Sequence, residues 1–409
     1  MKKFALLAAA AVGVLAACSK NEVTPQQPED SGDPVAVRFG VGAPAALLTK
    51  ATGTVGSVAG AENVWDQQTL YVFGFDRTIA DFTNAETDAF IWHVSATAPD
   101  GVESGEIEVM NSDPDGDGQP NPGQEEPFYY DGNTVYDFYG YHIDDAYLSG
   151  ETTGSTPEPV AEATRIYVPF KIDGGQDLMI AKADPQADIL NTDVKNWQNA
   201  YSAYAARRGV QPNLVFEHQL ARFTFEIIPG SASADNIQVE ALSLQSKTTG
   251  KLVVVGTQDV ELGIPQADVE EEQAWLPLRQ KNAQSGELED LAPVGTATFN
   301  PAPEAVQTST AIGESILAIP GEATYKIQLT LGDKAGEQLT PIDPQEYTLN
   351  AAELTGAGEN ATEFEAGKSY KVTIVIYGLE EVKIKATLEA WEDGGETVID
   401  PDKPAFPEE

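Results

Sequence analysis

The chain has 409 residues, which is more than one hydrophobic core usually supports, so its length favours two domains. Its 65 Asp and Glu residues outnumber 24 Lys and Arg residues and give a formal net charge of −41. A surface of that sign repels phosphate backbones, so we exclude nucleic acid as a partner. The 36 Gly and 26 Pro residues are spread along the chain, which is typical of many turns between short strands.

The N-terminus has the pattern of an export signal. Lys2 and Lys3 precede an apolar run, residues 4–17, which is too short to cross a bilayer but has the length of a signal-peptide core. The run ends in the sequence Leu-Ala-Ala before Cys18, which resembles a bacterial lipobox. Cys18 is the only cysteine of the chain. We therefore predict a lipoprotein signal peptide at residues 1–17 and acylation, palmitate included, at Cys18.

The residues after the predicted signal have the composition of a linker. Residues 18–34 are polar, rich in Pro, Gly and acidic side chains, and without periodicity, which predicts a flexible tether. With Cys18 acylated, the mature chain has no free thiol. Disulfides, zinc–thiolate sites and cysteine nucleophiles are then excluded, and stability must come from packing and backbone pairing.

Alternation of apolar and polar residues predicts strands along most of the remaining chain. Residues 35–41 and 325–331 each alternate with period two. Residues 370–376 and 382–390 do the same on either side of a Gly-containing turn, which predicts a hairpin. In residues 214–227 the apolar parity changes near Leu220, and a bulge or bend there would explain the change.

One segment predicts a helix between two β regions. Residues 187–208 lack internal Gly and Pro and place Trp197, Tyr201 and Tyr204 at three- and four-residue spacings. We therefore expect an N-terminal β domain at residues 35–186, a helical connector at 187–211 and a C-terminal β domain with a tail at 212–409.

The motifs of common enzymes are missing. The chain contains only three histidines, and it lacks the G-x-S-x-G elbow, the H-E-x-x-H zinc motif and the phosphate-binding loop. His218 falls on the apolar parity of its segment, which predicts a hydrogen-bonded imidazole in the core. We therefore expect no enzymatic activity.

One acidic segment could bind calcium, the one candidate cofactor. Asp113, Asp115 and Asp117 stand at positions 1, 3 and 5 of a loop with Gly at position 6, and Asn121 stands at position 9. The pattern departs from an EF-hand because Gln124 occupies the position of the bidentate Glu. A solvated acidic loop is the alternative interpretation.

Several segments together carry a family resemblance. They are Trp65 with TLYVFGF (69–75), VYDFYGY (135–141), DLMIAKAD (177–184), LVFEHQLARFTF (214–225), AGKSYKVTIVI (366–376) and KIKATLEAW (383–391). In this order they resemble the fimbrillin family of Bacteroidales, the FimA/Mfa-like subunits of type V pili. The resemblance implies an all-β fold of two tandem transthyretin-like β-sandwich domains with Greek-key connections and one short connecting helix.

The resemblance also implies a route of assembly. An acylated precursor reaches the outer membrane at the cell surface, a trypsin-like protease removes its first strand, and other fimbrial subunits, identical or different, supply a replacement strand. The displaced strand would be the one carrying Val35, Val37, Phe39 and Val41. The cut would follow Lys50, because the next residues are rich in Gly and Ala, or alternatively Arg38 within the strand. Residues 397–399, a short apolar run in the tail, are the candidate donor, and adhesion is the expected role.

Two other functions remain open on the sequence. A monomeric surface lipoprotein could bind glycans through exposed tryptophans, although we expect most of these rings in the core: Trp65, Trp92, Trp197, Trp275 and Trp391. A calcium-dependent adhesin is the second alternative.

Overall fold

The structure is a computed structural model in which the chain is nearly all β. It describes residues 34–42, 65, 67–83, 90–102, 104–111, 126–131, 134–144, 158–301, 307–334, 343–354, 361–379 and 381–389. Within these residues the α-helices are two single turns, α1 (Pro185–Asp188) and α2 (Ala203–Ala206). None of the helices in the described ranges has the length and apolar character needed to span a membrane.

The described strands are numbered in chain order. They are β1 (Phe39–Gly42), β2 (Thr69–Asp76), β3 (Phe90–Thr97), β4 (Ser104–Ile107), β5 (Met110–Asn111), β6 (Glu126–Pro127), β7 (Tyr136–Ile143), β8 (Val160–Ala161), β9 (Arg165–Lys171), β10 (Leu178–Lys182), β11 (Asn213–Val215), β12 (Glu217–His218), β13 (Ala221–Pro229), β14 (Ile237–Lys247), β15 (Thr249–Gly256), β16 (Gln273–Pro277), β17 (Arg279–Lys281), β18 (Leu288–Asp290), β19 (Val294–Gly295), β20 (Thr310–Ala311), β21 (Ile316–Ala318), β22 (Thr324–Asp333), β23 (Gln345–Asn350), β24 (Ser369–Ile376) and β25 (Val382–Glu389).

A five-stranded sheet in the order β12-β10-β7-β2-β3 is the centre of the first half. One face carries Val72 and Phe138, which pack in a core shared with the sheet β11-β1-β4. The other face carries Phe73 and Tyr139, which pack in a second core with the sheet β15-β9-β8. Because both faces are covered, β2 and β7 are nearly continuous apolar runs rather than alternating ones.

The second half is a sandwich of two sheets. One sheet has the order β20-β13-β24-β25, with β21 also paired to β13, and the other has the order β16-β14-β22-β23, with β19 also paired to β14. Their inward side chains form one apolar core that includes Phe223, Ile327 and Ile374. Such face-to-face packing of two antiparallel-rich sheets is the β-sandwich arrangement.

The strongest strand predictions are confirmed. Residues 325–331 lie in β22 with alternating burial, and β24 pairs with β25 in register from Ser369↔Glu389 to Ile376↔Val382. The bend expected near Leu220 is also present. Before it β12 pairs with β10 in the central sheet, and after it β13 pairs with β24 in the second sandwich. The parity changes there because the chain passes from one sheet to another.

The predicted helix over residues 187–208 is wrong. The segment contains α1, a 3-10 turn at Trp197–Asn199 and α2. Asn196 and Ser202 cap the last two turns with their side chains, so each begins a new turn instead of continuing an old one. Tyr201 has φ +58, a left-handed conformation that no helix interior adopts.

The division into domains stays a prediction. Strands on both sides of residues 187–211 share sheets, since β11 pairs with β1, β12 with β10, and β15 with β9. The Arg165 guanidinium adds an ion pair to Asp268 across the same boundary. The two halves are therefore joined by backbone pairing as well as by the chain itself, which returns to the first half at β15 after β13 and β14.

Candidate assembly site around the first strand

Strand β1 lies in the middle of its sheet. It pairs in parallel with β11, from Gly40↔Asn213 to Gly42↔Val215, and antiparallel with β4, from Phe39↔Ile107 to Gly42↔Ser104. The sequence predicted a strand here but did not predict which strands lie beside it. The parallel neighbour, β11, is remote in sequence: the Arg38 amide, next to β1, donates to the Gln211 side chain 173 positions later.

Backbone hydrogen bonds beyond the strand ladders also hold β1 and the residues just before it. The Val37 amide donates to the Phe128 carbonyl at 2.7 Å, and the Tyr130 amide donates to the Val35 carbonyl at 2.9 Å. The Gly40 amide donates to the Pro212 carbonyl at 3.1 Å. The bonded stretch therefore begins at residue 35 and agrees with the start of the predicted strand.

The side chains of this strand fill the core beneath it. Val37, Phe39 and Val41 are buried, and Val35 is half-buried against the same core. The Phe39 ring meets the Phe138 ring edge to face, with centroids 5.1 Å apart. At about 1.5 to 3 kcal/mol for each buried apolar side chain, the three buried residues contribute roughly 5 to 9 kcal/mol before entropy is subtracted.

The Asp188 carboxylate fixes the strand beside β1. Its Oδ2 accepts hydrogen bonds from the Asn213 amide at 3.0 Å and from the Tyr201 hydroxyl at 2.5 Å. Burial, together with the nearby Asp188 carboxylate, raises the pKa of Tyr201 and keeps this hydroxyl a donor. The Tyr201 carbonyl accepts from the Tyr136 amide at 3.0 Å, so the irregular segment connects β11 to β7. Sequence patterns alone did not indicate Asp188.

A glycine allows the strand layer to approach the central sheet. A Cβ on Gly140 of β7 would lie 2.9 Å from Phe216 Cζ and 3.2 Å from Leu214 Cδ1. Phe216 in turn meets Trp65 edge to face at 5.4 Å. The absence of a side chain at residue 140 therefore sets how closely the layer with β1 and β11 packs.

A buried polar cluster lies at the β12 side of the central sheet. His142 Nε2 lies 3.1 Å from Asp144 Oδ1, and His142 Nδ1 lies 2.8 Å from the Thr69 carbonyl. Burial opposes a charge on this ring, but the Asp144 carboxylate, the Thr69 carbonyl and the Asp177 carboxylate together outweigh burial and raise the pKa of His142 to about 9. His218 Nδ1 lies 2.9 Å from a carboxylate oxygen of Asp177, which confirms the predicted hydrogen-bonded core imidazole.

Most of the predicted site residues lie outside the described part of the chain. These residues are Cys18, Lys50, Asp113, Asp115, Asp117 and Asn121. Lipidation, cleavage and calcium binding therefore stay predictions. Arg38 is described, and it is half-buried within the bonded stretch. Within the ranges that the structure describes, no three His, Cys, Asp or Glu side chains are grouped as a metal site.

The tryptophans differ in exposure. Trp65 is buried and Trp275 is half-buried, whereas 40% of Trp197 is exposed. The Trp92 side chain and Trp391 lie outside the described parts of the structure. Among the described tryptophans, Trp197 is the most exposed platform for a ligand.

Residues 77–391 match the family described as fimbrillin-like. The chain belongs to this family. The match covers most of the chain and confirms the resemblance seen in the sequence. Fimbrillin-like proteins are structural fimbrial subunits of the cell surface and not a family of enzymes. No match was found among the curated proteins.

Solved structures of similar proteins come from Bacteroides and Porphyromonas species. A candidate cell adhesion protein from Bacteroides uniformis has 14% identity and a TM-score of 0.42, with 88% of this chain and 99% of that chain covered. The fimbrial anchor protein Mfa2 from Porphyromonas gingivalis has 13% identity and a TM-score of 0.31, covering 86% and 97%. The tip fimbrial protein Mfa3 from the same organism, with a C-terminal truncation, has 9% identity and a TM-score of 0.31, covering 87% and 99%.

Proposed function

We propose that this fimbrillin-like protein is exported as a lipoprotein precursor, trimmed by a trypsin-like protease and assembled into fimbriae with other subunits by strand exchange, in support of adhesion. Family membership supports the fimbrial role. One structural observation carries the exchange step. β1 is a short central strand with buried side chains and a strand on each side.

Loss of β1 would create a receptor for another strand. The edges of β4 and β11 would lose their backbone partners, and the core around Phe138 would open to solvent. Unpaired strand edges and exposed apolar surface are both satisfied by an added strand. A donor segment would need apolar side chains at the positions of Val37, Phe39 and Val41. The short run at residues 397–399 is our proposed donor, and at a period of two it can fill at most two of these three positions.

The position of β1 supports Lys50 over Arg38 as the cleavage site. A cut after Arg38 would leave Phe39–Gly42 on the body of the protein, so the groove would remain filled. Protease access at Arg38 would also require opening of the bonded stretch, because the Arg38 amide donates to the Gln211 side chain at 3.3 Å. A cut after Lys50 separates the whole of β1 from the body.

Limited trypsin digestion tests this proposal. We expect the purified precursor, without the signal peptide, to be trimmed to Ala51 and to form higher-order species, detected by intact-mass spectrometry and light scattering. Lys50→Ala should remain full length and monomeric. The matched control Arg38→Ala should be trimmed and should assemble like the parent protein.

Two outcomes would contradict strand exchange. One is a product that is trimmed at Lys50, has lost residues 35–42 and still remains monomeric at high concentration in the presence of its partner subunits. The other is assembly by Lys50→Ala without any cleavage. The first result would favour the alternative function, a monomeric surface lipoprotein.

The proposed lipid anchor is tested separately at Cys18. Cells expressing Cys18→Ala should incorporate no labelled palmitate into the protein and should not retain it in the outer-membrane fraction. Cys18→Ser removes the thiol with a smaller change in size and should give the same result. Retention of either variant among the outer-membrane lipoproteins would contradict the proposal.

Calcium binding at the acidic loop is likewise a proposal. Calorimetry should detect one site in the parent protein and none in a variant with Asp115→Ala and Asp117→Ala. A heat of binding that survives in this variant, or its absence from the parent at millimolar calcium, would contradict the site.

A further inference from the structure

A surface cleft lies on the face of the central sheet opposite β1. Its volume is about 690 Å³, within the range of about 300 to 1,000 Å³ that is usual for small-molecule sites. The ends of β2, β7, β10 and β15 border it, and Phe75 and Tyr139 belong to both its lining and the second core. In the part of the chain that the structure describes, its lining includes no residue of β1, β4 or β11. The cleft is thus separate from the proposed assembly site.

Trp197 lines this cleft with an exposed ring on a turn whose backbone is held by hydrogen bonds. Its 3-10 turn is capped by Asn196, whose side chain accepts from the Gln198 amide at 3.1 Å. Arg77 holds the turn from the other side, with Nη1 donating to the Gln198 carbonyl at 3.1 Å and its guanidinium carbon 6.0 Å from the Trp197 ring centroid. A large aromatic ring that is 40% exposed, on a turn that is capped and bonded to Arg77, provides a surface for stacking.

The charges around the cleft nearly balance. Arg77 pairs with Asp137, with Nε 2.7 Å from Oδ1. Lys182 lies with its amine 5.1 Å from the Tyr139 ring centroid, and Asp76 and Asp184 add two carboxylates to the lining. The lining therefore has no excess of positive charge for an anionic ligand, and the chain as a whole, at −41, repels one.

The remaining polar groups suit a ligand with many hydroxyls. Gln186 and Gln258 lie exposed at the border of the cleft, and their amides can both donate and accept hydrogen bonds. A sugar ring has an apolar face of C–H groups that packs on an aromatic ring, and hydroxyls around its edge that pair with amides and carboxylates. We propose that the cleft lined by Trp197, Tyr139, Gln186 and Gln258 is a binding site for a neutral oligosaccharide.

The test uses the uncut precursor labelled with 5-fluorotryptophan. The chain contains five tryptophans, and the signal absent from Trp197→Phe identifies the Trp197 resonance in the ¹⁹F spectrum. Cellohexaose, maltohexaose and mannohexaose are the neutral probes, with tri-galacturonic acid as the anionic probe and a penta-arginine peptide as the cationic one. At least one neutral probe should shift the Trp197 signal in a saturable manner below about 10 mM.

Matched variants separate a binding role from a structural one. Trp197→Ala and Gln258→Ala should each lower the affinity measured by calorimetry, by at least about tenfold for Trp197→Ala, with circular dichroism unchanged. Tyr129→Ala removes a ring that is 46% exposed outside the cleft and should bind like the parent. The proposal is overturned if none of the neutral probes binds, if the anionic or cationic probe binds more tightly, or if Tyr129→Ala weakens binding as much as Trp197→Ala. Because no cleavage is involved, failure here leaves the proposal of strand exchange intact.

Discussion

Strands β1 and β24 occupy the same kind of position but are held to very different extents. Each lies between a parallel and an antiparallel neighbour, β1 between β11 and β4 and β24 between β13 and β25. β24 is in register over eight residue pairs with each neighbour. β1 has three pairs with β11 and four with β4. The difference lies in the length of pairing and not in topology.

This difference shows how one strand can be exchangeable in a stable molecule. Local opening costs least where few backbone bonds and few buried side chains are lost. β1 and Val37, two residues before it, bury three apolar side chains, whereas β24 buries five: Tyr370, Val372, Ile374, Val375 and Ile376. We therefore expect changes in β24 to unfold the protein and changes in β1 to release mainly β1.

The largest effect is expected at Ile374, which is fully buried in β24. Ile374→Asp places a carboxylate in an apolar core and should lower the free energy of unfolding by more than about 4 kcal/mol. Urea denaturation measures the loss. The control Lys383→Asp adds the same group at an exposed position on β25 and should change stability by about 0.5 kcal/mol or less. Equal losses in the two variants would contradict the comparison.

Phe39→Ala tests the weaker strand. Removal of a buried Phe ring costs about 3 to 5 kcal/mol where the site cannot collapse. Here we expect the loss to appear as release of β1, with faster amide hydrogen exchange in β4 and β11 and unchanged protection in β24. Uniformly faster exchange throughout the molecule would show that β1 is part of the global folding unit.

The free energy of unfolding should depend on pH through His142, which lies in β7 of the central sheet. The pKa of His142 is raised to about 9, above its unfolded value of about 6.5, so its stabilisation is complete below pH 6.5 and is lost as the pH rises through 9. The shift corresponds to about 3 kcal/mol. Urea unfolding at pH 6 and pH 9.5 measures this loss, and His142→Gln should remove most of the difference. If His142→Gln loses as much unfolding free energy between pH 6 and pH 9.5 as the parent protein does, the loss belongs to other titrating groups.

The smallest effect is expected at the contact between the layers. Gly140→Ala forces its Cβ against Phe216 and should cost about 1 to 3 kcal/mol by overpacking. Gly378 is the control because a Cβ there meets nothing within 4 Å. Thermal unfolding of Gly140→Ala and Gly378→Ala should therefore differ, with only the first reducing the melting temperature. A normal melting temperature in Gly140→Ala would mean that the β11 layer can shift outward at little cost.

The sequence was sufficient for features that depend on local periodicity. β22 and the β24–β25 hairpin have alternating side chains, so their period of two identifies both the strands and the buried face. The parity change at Leu220 was informative for the same reason, because a strand that changes sheets must change the face that it buries. The family resemblance added what periodicity could not, the expected role of the first strand.

The helix prediction failed because of local signals. The spacing of Trp197, Tyr201 and Tyr204 suggested one helix, but Asn196 and Ser202 within the run were signals of repeated caps.

Features set by distant contacts could not be predicted from periodicity. The role of Asp188 depends on the Asn213 amide and the Tyr201 hydroxyl, and the pairing of β1 depends on β11. Such contacts have no short-range pattern because their partners are remote in sequence.

The long loop closed by β1 and β11 has a consequence for synthesis. At about 5 to 20 residues per second, the ribosome needs roughly 9 to 35 s to add the 173 positions that separate Arg38 from Gln211. During that time the segment around Phe39 cannot pair with β11, because β11 has not yet been synthesised. β1 can therefore pair with β4 early in synthesis, but it can pair with β11 only after residues 213–215 have been made.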